Sequence, residues 1–171
     1  MAPTASLFDC PGSWFVLSTR SRQEKALAAD LAEHRIAHFL PLVTKIRYWG
    51  NRKARVQEAL FPGYLFLRGS NEDTYFADRT GRVAQIIPVA DQKELTWELQ
   101  NLAKALDSNT PLDPYPYLKK GGRVEVTSGP LRGLQGIVES RGGSERLILA
   151  VDMLGRAVSL ELHGALVGPI E

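Results

Sequence analysis

The chain has 171 residues, 44% of them hydrophobic and 23% charged, with a formal net charge of +2. That composition supports one ordinary domain or two small ones, and it excludes global disorder and a strongly basic nucleic-acid-binding tail. No apolar run reaches the roughly 18 residues that span a bilayer, the N-terminus lacks a secretory pattern, and the lone Cys10 excludes an internal disulfide framework; a cytoplasmic protein without membrane contact is expected.

Residues 1–11 read as a loose leader. Trp14-Phe15-Val16-Leu17 follows as a buried-type strand. Ser21-Arg22-Gln23-Glu24 has capping-box spacing, with the Ser21 hydroxyl placed for the Glu24 amide. The spacing predicts a helix from about Ser21 to His34, with Ala26, Leu27, Ala28 and Leu31 on its apolar face. Arg20, Arg22 and Lys25 gather at its start, where cations are poorly placed against the helix dipole. A solvated surface and a phosphate-facing edge both fit. Ile36 to Leu40 reads as a second strand, ending at Pro41.

Val43 to Val56 alternates on both sides of Gly50-Asn51, a hairpin signal. This stretch carries Lys45, Arg47, Arg52, Lys53 and Arg55 with no acid among them. Tyr48 and Trp49 sit at the tip, where aromatic rings can stack on bases. A hairpin beside nucleic acid and a merely solvated one both fit. With so few charges, any such binding should depend only weakly on salt.

Leu60 to Leu67 is the most apolar stretch, and Pro62-Gly63 turns the chain within it. Tyr64 and Phe66 share one face of the following strand, Leu65 and Leu67 the other. Taken alone, this pattern suits a central strand buried on both faces. Asp73 to Arg79 reads as a short helix or loop, Thr80-Gly81-Arg82 as a turn, and Val83 to Val89 as a strand broken by Pro88. Asp91 and Glu94 open another helix with capping-box spacing, striped by Leu95, Leu99, Leu102 and Leu106. Ser108 to Leu118 holds three prolines and reads as an extended linker.

From Lys119 the sequence runs KKGGRVEVTSGPLRGLQGIV. Val124 and Val126 alternate with polar residues, Ser128-Gly129-Pro130 stops the strand, and Gly133 and Gly136 precede Ile137-Val138. These residues resemble the KOW motif, carried here by Gly129, Pro130, Arg132, Gly133 and Gly136. A Gly-rich hairpin in any small barrel is the plainer reading. A phosphate loop would need Lys-Ser or Lys-Thr after the last glycine. Five short candidate strands lie around Val124, Ile137, Leu147–Val151, Ala157–Leu160 and Leu166, with turns at Gly142-Gly143 and Leu154-Gly155, and they predict a small five-stranded β-barrel. The expected fold class is α+β. An N-terminal α/β sandwich, an antiparallel sheet with flanking helices, occupies residues 12–107. A linker covers 108–118 and the KOW barrel 119–171.

No catalytic constellation appears. His34, His38 and His163 lack metal-ligand spacing and read as surface residues. Nucleophile-elbow, zincin and Rossmann patterns are missing. No enzyme activity, cofactor or metal is expected.

The order of these elements resembles the NusG family of transcription elongation and antitermination factors, over roughly residues 12–171. Phe61-Pro62-Gly63-Tyr64 and the Gly129–Gly136 loop are the most specific parts. The resemblance implies binding to RNA polymerase, with Phe61, Pro62, Tyr64 and Phe66 matching the patch that docks on the clamp helices. On that reading the aromatic face of the strand is used for docking rather than for packing. Thr74, in Glu72-Asp73-Thr74, stands where relatives bridge to the gate loop, although the His-Thr-Thr triplet of the RfaH-like branch is missing. Holding the DNA channel closed would reduce pausing or termination by shifting a population. Arg20, Arg22, Gln23 and Arg79 match the edge that meets the non-template DNA strand, and Arg47, Arg52 and Lys53 join the nucleic-acid-facing side. The KOW domain of the family meets the termination factor Rho or a small-subunit ribosomal protein. The chain is expected to act as a monomer.

In RfaH-like members the C-terminal domain can refold as a helical hairpin. Here Val124, Val126, Ile137, Val138, Val151 and Val158 sit in β-type patterns among glycines, which predicts a barrel that does not switch. The leader, the basic hairpin and the Leu60–Phe66 segment resemble the specialised paralogs that act on long operons. The alternative is a non-enzymatic ribosomal or RNA-binding KOW-domain protein, against which the low net charge counts.

Overall fold

The computed structural model describes residues 7–115, 123–141, 144–163, 165 and 167–170. They pack as two compact units, divided in sequence between Thr96 and Trp97.

The strands of the first unit, in chain order, are β1 (Ser13–Thr19), β2 (Ala37–Phe39), β3 (Leu42–Trp49), β4 (Arg52–Ala59), β5 (Tyr64–Gly69) and β6 (Val83–Pro88). Four of them form an antiparallel sheet in the order β2-β5-β1-β6, while β3 and β4, among the described residues, pair only with each other. Helices α1 (Glu24–Glu33) and α2 (Asn71–Arg79) bring Leu27, Leu31 and Ala77 against Leu17, Leu65, Leu67 and Val83 in one core. Truncating Leu27 or Leu31 to alanine should cost about 2–5 kcal/mol, because both are fully buried.

Side chains alternate across a strand, so the other sheet face carries Trp14, Val16 and Phe66, and these are buried too. Phe39 lies 6.4 Å from Phe66, ring centre to ring centre. Phe8 packs 5.9 Å from Trp14 and meets Phe39 edge-on at 6.3 Å. The described part of the leader is therefore not loose. The Cys10 carbonyl accepts a hydrogen bond from Arg68 Nε at 2.7 Å. Gly12 has φ +106, and a Cβ there would lie 2.7 Å from Gly69 Cα, so glycine is what lets the leader cross that strand end.

The start of α1 differs from expectation. The helix begins at Glu24, not Ser21, and no side chain caps it. Arg22 takes φ +59, which is incompatible with helix, and the Gln23 amide donates to the Arg20 carbonyl at 3.2 Å. The Ser21–Glu24 spacing therefore falls on a turn. A capping box forms instead at α2: Ser70 Oγ accepts from the Asp73 amide at 3.3 Å, and Asp73 Oδ2 accepts from the Ser70 amide at 2.9 Å. Asp91 also caps, accepting from the Glu94 amide at 3.0 Å.

Helix α3 (Gln92–Asp107) begins in the first unit and ends in the second. Leu95, Leu99 and Leu102 of its stripe are buried and Leu106 is half-buried. The second unit continues with β7 (Asp113–Tyr115), β8 (Arg123–Val126), β9 (Gln135–Arg141), β10 (Ser144–Val151), a 3-10 turn (Asp152–Leu154), β11 (Arg156–Glu161) and β12 (Val167–Pro169). These strands form one six-stranded sheet, ordered β12-β8-β9-β10-β11-β7. The expected five strands are accompanied by a sixth from the Pro-rich stretch, β7, which pairs with β11. Pro114 is tolerated because β7 is an edge strand and needs no second ladder. Among the described residues no pairing joins β12 to β7, so strand pairing does not close a barrel. Residues 116–122, the Gly142-Gly143 turn and Leu166 lie outside the described residues.

Within the second unit, the Asn101 side chain brackets the Gln135 backbone. Its Oδ1 accepts from the Gln135 amide at 2.9 Å and its Nδ2 donates to the Gln135 carbonyl. Trp97 Nε1 donates to Gln135 Oε1 at 2.5 Å, and Glu98 Oε2 accepts from the Asp152 amide at 2.8 Å.

Candidate functional site

Four groups of residues follow from the sequence, and the structure treats them differently. The first is the Phe61–Phe66 set. Pro62-Gly63 forms a tight turn with Gly63 at φ +88, closed by the Tyr64 amide donating to the Phe61 carbonyl at 3.1 Å. That is the combination a type II turn requires. The Gly63 carbonyl in turn accepts from the Thr19 amide at 2.8 Å, fixing the turn to the end of β1. Pro62 is exposed and Tyr64 half-buried. Phe61 is only 4% exposed and Phe66 fully buried, so neither ring offers surface. β5 is thus a central strand packed on both faces, as its apolar run alone suggests. Thr74 is likewise buried, donating to the Asn71 carbonyl at 2.6 Å.

The second group is the turn before α1. Arg20 and Arg22 are exposed, as is Arg79 at the end of α2. Gln23 Oε1 accepts from Arg82 Nη1 at 2.5 Å, and Arg82 Nε also bonds Asp30 Oδ2 at 2.8 Å. The Arg82 carbonyl accepts from the Arg20 amide at 2.8 Å. Arg82 therefore ties the Arg20–Gln23 turn to the turn that follows Arg79. In the sequence Arg82 stands only in a turn; its partners are 52 and 59 residues away, and no local pattern reveals them.

The third group is the β3–β4 hairpin. Its register places Trp49 opposite Arg52, leaving Gly50-Asn51 as the loop, with Gly50 at φ +58. Tyr48 is 69% exposed and Trp49 58%. Arg47 is ion-paired within the hairpin: its Nε donates to Glu58 Oε1 at 2.8 Å, and Lys45 Nζ lies 3.5 Å from Glu58 Oε2. The hydrogen bond from Arg47, helped by the charges of Arg47 and Lys45, holds the Glu58 carboxyl below the usual carboxylate range. Arg52, Lys53 and Arg55 are exposed and make no ion pair among the described residues.

The fourth group is the Gly129–Gly136 loop. Gly129 and Gly133 take φ +82 and +95, a region that favours glycine. The loop is closed by the Gly133 amide on the Val126 carbonyl and the Val126 amide on the Leu134 carbonyl, both at 2.8 Å. Gly136 answers a different need. A Cβ there would lie 2.4 Å from the Ile148 carbonyl oxygen of β10. Pro130 and Arg132 are exposed.

The histidines stay apart from any ligating cluster among the described residues. The His34 ring stacks on Phe76 at 3.8 Å, and His38 Nδ1 lies 2.9 Å from the Ile36 carbonyl. Among the described residues, no helix is long and apolar enough to cross a membrane.

Comparison with known proteins finds similarity over most of the chain. A curated protein of Lactococcus lactis subsp. lactis (strain IL1403), named transcription termination/antitermination protein NusG, is 25% identical over 174 residues, covering 87% of this chain and 88% of the relative. A solved structure described as "Domain interaction in Thermotoga maritima NusG" aligns with a TM-score of 0.43 and 22% identity, covering 93% of this chain and 97% of the other. The family model for NusG, "Transcription termination factor nusG", matches residues 12–101, more than half of the chain and the stretch that carries the four-stranded sheet. The chain belongs to the NusG family, whose members are transcription termination and antitermination factors that act with RNA polymerase.

Proposed function

We propose that the chain binds RNA polymerase at the clamp helices of the largest subunit, holds the DNA channel closed, and so reduces pausing or termination. The observation that carries this reading is the Phe61–Tyr64 turn. It lies inside the family match, and Pro62 and Tyr64 stand at the surface on a turn fixed by backbone bonds. On this reading Pro62 and Tyr64 touch polymerase, and buried Phe61 and Phe66 hold the turn and strand beneath them. Thr74 holds the first turn of α2, so that exposed Glu72 and Tyr75 face the gate loop.

Arg20, Arg22 and Arg79 face the non-template DNA strand, with Gln23 kept in place by Arg82. The hairpin is a second nucleic-acid-facing element, through Arg52 and Lys53. Residues 12–107 serve as the polymerase-binding domain and 108–118 as the connection. Residues 119–171 serve as a KOW barrel that recruits Rho or a small-subunit ribosomal protein. The glycines at 129, 133 and 136 support that assignment, since each meets a backbone demand of the loop. The basic hairpin supports a specialised, RfaH-like member, working as a cytoplasmic monomer without a cofactor.

The test is co-elution of the full chain with bacterial core RNA polymerase, wild type against Tyr64→Ala. Co-elution that the variant loses at an unchanged melting temperature supports the reading. Absence of wild-type co-elution sinks it. Phe66→Ala is unsuitable, because truncating a buried phenylalanine costs about 3–5 kcal/mol of stability.

A further inference from the structure

The cations of the hairpin divide between its two faces. Residues alternate across a strand, and the register fixes which share a side. Lys45 and Arg47 share a side with Glu58, which stands opposite Val43 and binds both. On the other side Tyr48 pairs with Lys53, Ile46 with Arg55 and Thr44 with Gln57. No acid occurs from Leu42 to Gln57, and Lys53 and Arg55 make no ion pair among the described residues. Ile46 is 46% exposed and Tyr48 69%, and among the described residues the hairpin pairs with no other strand.

Trp49 and Arg52 pair on the Glu58 side, where the neighbouring cations Lys45 and Arg47 are bound to Glu58; on the second side both cations stand open, and it has one kind of fit. An exposed ring with a cation directly across from it accepts a base on the ring and a phosphate on the cation. A duplex hides its base faces and would use only the charges. A protein partner would have to bring acids to two cations while covering only Tyr48 and Ile46. Thr44 and Gln57 extend the same side with a hydroxyl and an amide that make no side-chain hydrogen bond among the described residues. Those groups complement a ribose 2′-hydroxyl, which both donates and accepts and which a deoxyribose lacks.

We propose that this side of the β3–β4 hairpin is a docking surface for single-stranded RNA, with Tyr48 stacking on a base and Lys53 and Arg55 holding phosphates. The proposal deepens the nucleic-acid reading of the hairpin and rests on it, but it does not depend on polymerase docking. It also removes Arg47 and Arg52, which lie on the Glu58 side, from the contact set and adds Arg55 and Tyr48.

The test is fluorescence anisotropy of labelled oligo(U), oligo(dU) and a blunt RNA duplex with the full chain, across a salt series. Four proteins are compared: wild type, Tyr48→Ala, the pair Lys53→Ala with Arg55→Ala, and the pair Lys45→Ala with Arg47→Ala. All of these side chains are exposed, and circular dichroism checks that each variant keeps its fold. Oligo(U) should bind more tightly than oligo(dU) and the duplex. Tyr48→Ala should weaken oligo(U) about tenfold. The Lys53/Arg55 pair should lower the log–log salt slope by about 0.7 for each lost phosphate contact. The Lys45/Arg47 pair should change affinity less than either. Equal loss from both sides, equal binding of oligo(dU), preference for the duplex, or no wild-type binding at low salt would each overturn the proposal. Polymerase co-elution separates the two readings. Co-elution without RNA binding leaves the polymerase reading standing, and RNA binding without co-elution leaves this one.

Discussion

The side-chain amide of Gln92 brackets the backbone of Trp14. Its Oε1 accepts from the Trp14 amide at 2.7 Å, and its Nε2 donates to the Trp14 carbonyl at 2.9 Å. The ladder between β1 and β6 ends with Phe15 opposite Pro88, so Trp14 has no strand partner on that side. Gln92 supplies one from the first turn of α3, and its Nε2 also donates to the Val89 carbonyl at 3.1 Å. Removing the amide leaves part-buried backbone groups unpaired, which costs about 1–3 kcal/mol. Gln92→Ala should therefore unfold at a lower temperature than wild type. Gln92→Glu, which keeps an acceptor and loses the donor, should fall no higher than wild type. An unchanged melting temperature for Gln92→Ala would mean that water replaces the amide at no cost.

The leader provides a second stability test. Phe8 is half-buried between Trp14 and Phe39, so Phe8→Ala loses apolar burial and aromatic contact together. The expected cost is about 1–3 kcal/mol, below that of a fully buried phenylalanine. The exposed faces of Trp14 and Phe39 should also bind an apolar dye such as ANS. If neither melting temperature nor dye binding changes, the leader is not part of the packed unit.

These two contacts also show where sequence reading stops. The hairpin was legible because its turn chemistry is local: Gly50-Asn51 between alternating runs fixes the register without help from the rest of the chain. The leucine stripe of α3 and the glycine spacing from 129 to 136 were legible for the same reason. Phe8 was not, since a lone aromatic in a polar leader carries no period. The Ser21–Glu24 box failed because its spacing is necessary but not sufficient, and Arg22 takes a left-handed conformation there. β7 was hidden by its prolines, which read as linker although an edge strand accepts them. Among the site residues, Tyr64 and Phe66 looked equivalent by alternation. Packing from the second sheet face then buried one and left the other half open.

Gly136 and Gly50 make a contrasting pair. At Gly136 a Cβ would lie 2.4 Å from a backbone oxygen of β10, so two strands must separate to admit it. Gly136→Ala should destabilise the chain by about 1–3 kcal/mol, or more if the loop cannot yield. At Gly50 nothing lies within 4 Å, and only the positive φ opposes a side chain. Gly50→Ala should cost about 1 kcal/mol, the penalty of one left-handed residue. Urea unfolding of both variants checks the order, and a larger loss for Gly50→Ala would contradict the close approach of β9 and β10.

Glu58 offers a titration that tests the division of the hairpin. Its carboxyl is held below the usual value of 4.5 by the hydrogen bond from Arg47 and the nearby charges of Arg47 and Lys45. A depressed carboxylate contributes stability above its unfolded value, and that contribution disappears as pH falls through the folded value. The two ion pairs should therefore be intact at neutral pH and break only in acid below 4.5. Because the group is exposed, the effect on overall stability should be small and screened by salt. An NMR titration of the Glu58 side chain should give a midpoint below 4.5 in the wild type and a higher one in Arg47→Ala. Glu58→Gln should reproduce the acid state at neutral pH, freeing Lys45 and Arg47, but because both lie on the side away from Tyr48, Lys53 and Arg55 the salt dependence of polynucleotide binding should stay close to that of wild type. A Glu58→Gln slope equal to that of wild type would show that Lys45 and Arg47 do not reach phosphates even when released. The binding side would then be limited to Tyr48, Lys53 and Arg55.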